Sequence, residues 1–281
     1  NPIKTGLGRL KGREDTKFVS VNPVRTGYSA IADEWIGIRP GTDGLFVMAL
    51  IHELIKAQKV DLDFLVRYSN APWLVREEPG HPLAWDRDAG AAVNALLPDI
   101  SPALSGRFTL PDGATARPAF ELMAERYLEP QYSAEAVEDK TGVSAETIRR
   151  IAAELAHAAF EQEIELDIEW TDWAGRKHDK MIGRPVSMHA MRGISAHSNG
   201  FHTCRAIHLL QMLLGSIDCP GGFRYKPPFP RPCPPGPKPT GKPDQVRPGE
   251  PMPGPPLGFT TGPEDLLVDD EGNPCRIDKG F

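Results

Sequence analysis

The sequence predicts an α/β fold, a mostly parallel sheet with flanking helices, followed by a long proline-rich excursion. Three observations carry that expectation. Apolar segments of strand length alternate with segments of helical periodicity, the pattern of strand-helix-strand units. Residues 45–57 are apolar almost all round, as a helix buried on every side must be. From 227 to 256, 14 of 30 residues are proline, a density that neither a helix nor an interior strand accepts.

Taken in order, residues 3–12 read as a short helix ended by Gly12, and 17–21 as a strand that Asn22-Pro23 must leave, because proline cannot donate to a ladder. The buried helix at 45–57 comes next, with Thr42 or Asp43 at its cap. A second helix is expected at 61–68, short strands at 73–76 and 83–85, and a surface excursion of little periodicity over 87–113. Residues 118–127 fit a helix and 133–137 lead into another. Ser144-Ala145-Glu146-Thr147 opens a clearer one, with Ile148, Ile151, Ala152 and Leu155 on one face. Strands at 163–168 and 185–190, then a helix from 199 to 214 stopped by Gly215, complete the alternation.

The chain's 281 residues can bury a sizeable core in one large domain or two smaller ones. Residues 1–226 are expected to form the α/β region, and 227–281 the proline-rich insertion and the start of a further segment. The chain opens on Asn1-Pro2-Ile3-Lys4 and stops at Lys279-Gly280-Phe281, and it reads as an internal portion of a larger polypeptide. A net charge of -6 with no dense Lys/Arg block excludes nucleic acid as a primary partner, since phosphate binding needs a basic footprint. Cys204, Cys219, Cys233 and Cys275 are widely spaced with no C-x-x-C pair, so neither a disulfide framework nor a cluster-binding loop is visible, and a reducing compartment is preferred. No apolar run approaches the ~18 residues that span a bilayer. Membrane association would come through another protein of the complex.

Candidate chemistry gathers in two places. Asn22, Arg25 and Thr26 sit just beyond the carboxyl end of a strand, where open α/β sheets bind ligands. Arg39-Pro40-Gly41-Thr42-Asp43-Gly44 then feeds the buried helix: Gly41 lets backbone approach a ligand, free amides at a helix start attract phosphate, and the Asp43 carboxylate can accept two hydrogen bonds from the N–H edge of guanine. The alternative is that Thr42 and Asp43 only cap the helix and Arg25 only pairs with Asp33 or Glu34. The second place is 191–200, where Gly193 and Ser195 would let backbone approach a polar ring system; a plain strand-to-helix turn fits equally. Trp170 and Trp173 could wall a pocket or pack under a loop. Cys204 and His208, four apart on a helix, could share a metal with Cys219 or His202, although a packed thiol and a structural histidine are the commoner arrangement. Two motifs are rejected. The glycines at 6–12 have the wrong spacing for a dinucleotide fingerprint and precede the strand, and 193–197 lacks the last glycine of a nucleophile elbow.

Asn22-Pro23-Val24-Arg25-Thr26, Ala32-Asp33-Glu34-Trp35 and Ile38-Arg39-Pro40-Gly41-Thr42-Asp43 together resemble the molybdopterin oxidoreductase family, the dimethyl sulfoxide reductase superfamily. Thr147 to Ala152 is similar to a recurrent helix of that family. Arg192-Gly193 through Asn199-Gly200, Leu213 to Asp218 and Pro220-Gly221-Gly222 resemble its later glycine-rich element, so the likeness runs in order from about 17 to 226. It implies bis(molybdopterin guanine dinucleotide) carrying molybdenum or tungsten, with Asn22, Arg25 and Thr26 beside the ribose and phosphates of one dinucleotide. Gly41, Thr42 and Asp43 would hold its guanine, and Gly193, Ser195 and His197 would lie near a pterin or the substrate funnel. Oxo-transfer chemistry belongs to the metal and its pterins, with the protein supplying position and electrostatics, and no metal ligand is assigned within the chain. Arg192 and His197 are the substrate-side candidates, a fixed cation to hold an oxyanion and a histidine to pass a proton.

The same resemblance places a 4Fe-4S cluster and the metal-ligating residue before Asn1. It also implies an iron-sulfur electron-transfer subunit, a membrane anchor subunit, and a cytoplasmic or periplasmic location with the cytoplasm preferred. Two positions depart from the pattern: Asn22 stands where an acid is often found, and Ala196 where a glutamine is. The proline-rich run and Met188-His189-Ala190-Met191-Arg192-Gly193 most resemble catalytic subunits acting on sulfur oxyanions or polysulfide. A nucleotide-binding module without redox chemistry, or an interaction module built on the prolines, is the alternative.

Overall fold

The computed structural model describes residues 5, 8–9, 11–13, 15–25, 27–76, 80–172, 175–190 and 192–223, without the side chains of Tyr28 and Arg192. All belong to one unit, Asn1–Tyr225. The proline-rich excursion, Thr26, Trp173 and most of the helix expected over 3–12 lie outside the described residues.

Two short strands, β1 (Val19–Val21) and β2 (Glu34–Ile36), pair in parallel with Val21 opposite Ile36. The chain then enters α1 (Asp43–Lys56), the helix on which the others assemble. Its apolar circumference has a structural reason: α3 (Ala119–Tyr127), α4 (Ala134–Thr141), α5 (Ala145–Phe160) and α7 (Gly200–Leu213) all pack against it. Phe46, Val47, Leu50, Ile51 and Leu54 fill the centre with Val137, Ile148, Ile151, Leu210 and Leu213. His52, the buried polar residue of α1, faces the Tyr127 carbonyl with Nδ1 at 2.9 Å. A carbonyl can only accept, so Nδ1 carries the proton. The cap residues of three helices behave as their sequences suggest. Asp61 accepts from Phe64 N–H at 2.9 Å to start α2 (Leu62–Tyr68), Ser133 from Ala136 N–H at 3.3 Å for α4, and Ser144 from Thr147 N–H at 3.2 Å for α5.

The expectation of a mostly parallel sheet is corrected. Of the strands among the described residues, only β1 and β2 pair in parallel, and the remaining ones pair antiparallel in small sheets. β3 (Leu74–Val75) and β6 (Phe108–Thr109) flank β7 (Thr115–Pro118), and β4 (Leu83–Asp86) pairs with β5 (Ala91–Asn94). The stretch 87–113 is therefore no irregular excursion: it holds β5 and β6, and Trp85 stacks on Phe108 with ring centroids 4.5 Å apart over a small second core. The physical reason is connection length. A tight turn through Gly90, at φ 61, closes a hairpin within four residues, whereas a parallel neighbour needs a crossover of a dozen or more. Farther on, β8 (Ile164–Leu166) pairs with β11 (Met181–Gly183) and β9 (Trp170–Thr171) with β10 (Lys177–His178), both antiparallel. The strand expected at 185–190 does not form: the stretch lies outside any ladder and begins in a tight turn, Val186 N–H donating to Arg184 O at 2.7 Å, in keeping with the donor that Pro185 lacks.

An ionic cluster fastens β2 to α5. Arg150 holds the Glu34 carboxylate from both guanidinium nitrogens and bonds Glu154 at 2.7 Å, while Lys17 bridges Glu34 at 2.8 Å and Glu154 at 2.7 Å. The Arg150 hydrogen bonds hold the Glu34 carboxyl below its ordinary pKa, and at Glu154 burial works the other way but the Lys17 and Arg150 hydrogen bonds outweigh it. Both folded pKa values are depressed, so the stability they contribute is present above the unfolded value of about 4.3 and lost as pH falls through the folded values. The urea midpoint is therefore expected to fall as pH drops from about 5 to 3, and the double variant Glu34→Gln/Glu154→Gln to fall less steeply over that window. An identical acid slope in wild type and variant would show that the cluster does not carry this dependence. Among the described residues, no helix is long and apolar enough to cross a membrane.

Candidate functional site

Because β1 and β2 run side by side in one direction, the loops after Val21 and after Ile36 leave from a common carboxyl edge. Asn22 N–H donates to Ile36 O at 3.1 Å, and Asn22 Oδ1 accepts from Val24 N–H at 3.1 Å, an Asx turn that aims the following residues. The Trp35 indole N–H donates to the Asn22 carbonyl at 2.9 Å, and the Arg25 guanidinium lies over the same indole, 5.9 Å from the ring centroid. The pairing of Arg25 with Asp33 or Glu34, left open by the sequence, is not the arrangement formed. Asp33 accepts from Phe18 N–H at 2.8 Å and Gly12 N–H at 3.0 Å, bonds that lower its pKa, and Glu34 belongs to the Arg150 cluster.

The turn ahead of α1 is anchored from behind. Arg39 N–H donates to Thr141 O at 2.8 Å and its guanidinium to Asp139 O, so two carbonyls at the carboxyl end of α4 hold it. Thr42 N–H and Thr42 Oγ1 both donate to Arg39 O, at 3.2 and 2.7 Å. The Thr42 hydroxyl is thus used backward, and no side-chain cap bond forms at the start of α1. Gly41 adopts φ +80, a conformation that favours glycine. Asp43 is the first residue of the helix.

The second candidate segment arrives at the same end. A short helix, α6 (Arg192–Ser195), precedes α7, and Gly200 N–H donates to His197 O at 2.9 Å. A Cβ on Gly200 would collide with the Ser195 carbonyl, which fixes glycine where the two helices meet. Asn199 Nδ2 donates to Gly41 O at 3.2 Å, and His197 Nδ1 stands 3.8 Å from the place a Cβ on Gly41 would occupy. Gly193, Ser195 and His197 are exposed on this segment. The structure therefore brings Gly41, Thr42 and Asp43 together with His197, with Gly193 and Ser195 on the stretch leading to it. Asn199 is the tie that sequence reasoning missed. Its only local signal was an asparagine preceding a helix, which suggests a cap.

The two helix starts share one electrostatic property. Where α2, α4 and α5 are capped by their own side chains, Thr42 and Asn199 direct their polar groups to Arg39 O and Gly41 O, and neither caps its helix. α3 begins after Pro118 and has no acceptor to offer. Gly44 lies so near Thr203 that an added Cβ would be 2.8 Å from Thr203 Oγ1, and Asp61 N–H bonds Leu213 O at 2.7 Å beyond the other ends, so α1 and α7 run parallel with their starts together. First-turn amides and the positive ends of two dipoles coincide there, a setting that favours a phosphate or another anion. The Asp43 carboxylate beside them suits an N–H edge such as that of guanine.

Elsewhere the alternatives resolve into packing. Trp170 Nε1 donates to Lys180 O at 2.9 Å and its ring stacks on His178, so it braces a hairpin. Cys219 Sγ accepts from Arg184 N–H at 3.2 Å, with burial raising its pKa. Among the described residues, no group of three or more His, Cys, Asp or Glu could hold a metal ion.

Comparison with known proteins bears on this geometry. The family model described as molybdopterin oxidoreductase matches residues 3–227. The chain is 46% identical over 303 residues to a sulfite dehydrogenase subunit from Allochromatium vinosum, a match covering 100% of this chain and 31% of that protein. It is 24% identical over 249 residues to a selenate reductase subunit from Mesobacillus selenatarsenatis, covering 79% of this chain and 21% of the other. A solved structure, acetylene hydratase from Pelobacter acetylenicus, aligns with a TM-score of 0.43 at 20% identity over 73% of this chain and 18% of that one. The chain thus spans less than a third of the length of the curated relatives described. With a match from residue 3 to 227, the chain belongs to the molybdopterin oxidoreductase family.

Proposed function

We propose that the chain is the dinucleotide-holding portion of a catalytic subunit that uses bis(molybdopterin guanine dinucleotide) with molybdenum or tungsten to oxidise a small sulfur oxyanion, sulfite being the first candidate. The observation that carries the reading is the 46% identity, over the whole of this chain, to a subunit of a sulfite dehydrogenase. The residues present fit the cofactor: the Asp43 carboxylate, without a hydrogen-bond or ion-pair partner among the described residues, and two helix starts without a side-chain cap offer acceptors to a base and amides to phosphates. When bound, the cofactor supplies the redox and oxo-transfer chemistry.

In this reading the chain's own residues bind and orient. Amides at the starts of α1 and α7 and the Arg25 guanidinium meet phosphate oxygens, while Asp43 accepts from the guanine edge. Gly41, free of a side chain, lets the base approach its turn. Asn199 holds that turn against the 193–197 segment, whose His197 can pass a proton and whose Arg192 is the candidate cation for an oxyanion. The partners are two further subunits, one carrying iron-sulfur clusters for electron transfer and one anchoring the complex to a membrane. The compartment is the cytoplasm or the periplasm, and 227–281 are a proline-rich insertion and the start of a further segment.

The test is made on the full-length protein: metal content by mass spectrometry, nucleotide release by acid, and oxidation of sulfite with an artificial electron acceptor. Molybdenum or tungsten together with GMP, and turnover of sulfite, are expected. Sulfite oxidation by a preparation free of both metal and GMP would sink the cofactor assignment. A loaded protein inert toward sulfite but active on selenate would redirect the substrate.

A further inference from the structure

We infer that Trp35 is a positioning residue that holds Arg25 for the phosphates of the nucleotide, an inference that rests on the reading above. The indole does three things at once. Its N–H donates to the Asn22 carbonyl at 2.9 Å, its face lies under the Arg25 guanidinium at 5.9 Å, and its ring edge lies 3.0 Å from where a Cβ on Gly37 would stand. Glycine at 37 therefore leaves room for the ring in this place. Stacking on an aromatic face is a distinctive use of arginine, because it restricts a long side chain while leaving the planar N–H edge free to donate.

The charges around it point the same way. Asp33 is engaged by the Phe18 and Gly12 amides and Glu34 by Arg150 and Lys17. The two nearby carboxylates are thus committed elsewhere, and among the described residues the guanidinium, at the carboxyl edge of β1 and β2, has an aromatic partner instead of an acid. A merely structural arginine would be expected to take one of these acids. An arginine whose guanidinium lies over a ring beside a strand edge is ready for a diffusible anion, here the pyrophosphate of a nucleotide.

The experiment compares GDP with guanosine by calorimetry on the cofactor-free full-length protein, because only GDP carries the phosphates that Arg25 would meet. Wild type is expected to bind GDP at least about tenfold more tightly than guanosine, since Arg25 and the first-turn amides both meet the phosphates, and to lose much of that margin in high salt. Trp35→Leu should lower the margin severalfold while leaving guanosine affinity within about twofold, and Trp35→Phe, which keeps an aromatic face, should restore most of the loss. Arg25→Gln leaves the indole untouched and must lower the margin at least as far, which keeps the test independent of any folding defect at position 35. An equal loss for both ligands in Trp35→Leu, or an unchanged margin in either Trp35→Leu or Arg25→Gln, overturns the positioning role while the guanine reading stands. If wild type binds neither ligand, the underlying reading falls and the inference with it.

Discussion

Leu54→Ala is expected to lower the unfolding free energy of the chain by about 3–5 kcal/mol, the upper part of the range for truncating a buried leucine. Leu54 is 1% exposed and lies in the cluster where α1 meets α3, α4, α5 and α7. A residue surrounded on every side loses its dispersion contacts together with its transfer energy, and helices held by several neighbours have little freedom to collapse into the space left behind. Leu54→Met, which conserves volume, should cost less than about 1.5 kcal/mol. Urea unfolding of both variants checks the pair. A loss under about 1 kcal/mol for the alanine variant would mean that the site collapses freely, contrary to the packing described.

The second large effect is on binding. Asp43→Ala is expected to weaken GDP binding by about 1–3 kcal/mol, roughly 5- to 150-fold, because removal of the acceptor leaves two base N–H groups without partners. ADP, which presents a different edge, should bind weakly to wild type and variant alike. Asp43 is the acidic residue in the first turn of α1 and not its cap residue, so its removal should cost less than about 1 kcal/mol of stability, the dipole contribution. Calorimetric titration beside urea unfolding separates the two quantities. GDP affinity unchanged in the variant would remove the guanine assignment, and a large stability loss with intact binding would restore a purely structural role for the carboxylate.

What could be read in advance followed the range of the interactions. The start of α5 and its buried face were legible because Ser144, Ile148, Ile151 and Ala152 act within two turns of one another, and the helix formed with the cap and face they predict. The apolar girth of α1 was legible for the same reason. Sheet direction was not, since alternation of strand and helix suggests parallel pairing but strands of two to four residues take whatever neighbour the chain returns. In β5, Ala91-Ala92-Val93-Asn94 carries too little alternation to announce a partner for β4. At the site, the glycine and acid at 41 and 43 could be picked out by chemistry. The bond from Asn199 to Gly41 O joins residues 158 apart, and no local pattern encodes it. Thr42 illustrates the limit well, for a threonine before a helix reads as a cap, yet its hydroxyl turns back to the Arg39 carbonyl.

The parallel course of α1 and α7 reaches beyond ligand recognition. Two dipoles side by side with like poles together repel, and here neither start is softened by its own cap side chain, with Asp43 the acidic residue in the first turn of α1 and none in that of α7. An anion settling between them would cancel that repulsion, so occupancy and the integrity of the fold become linked quantities. In a cell, newly made chains waiting for their ligand would be the fraction that opens most readily and meets proteases first. Supply of the ligand would then set how much of the protein persists, as well as how much of it works.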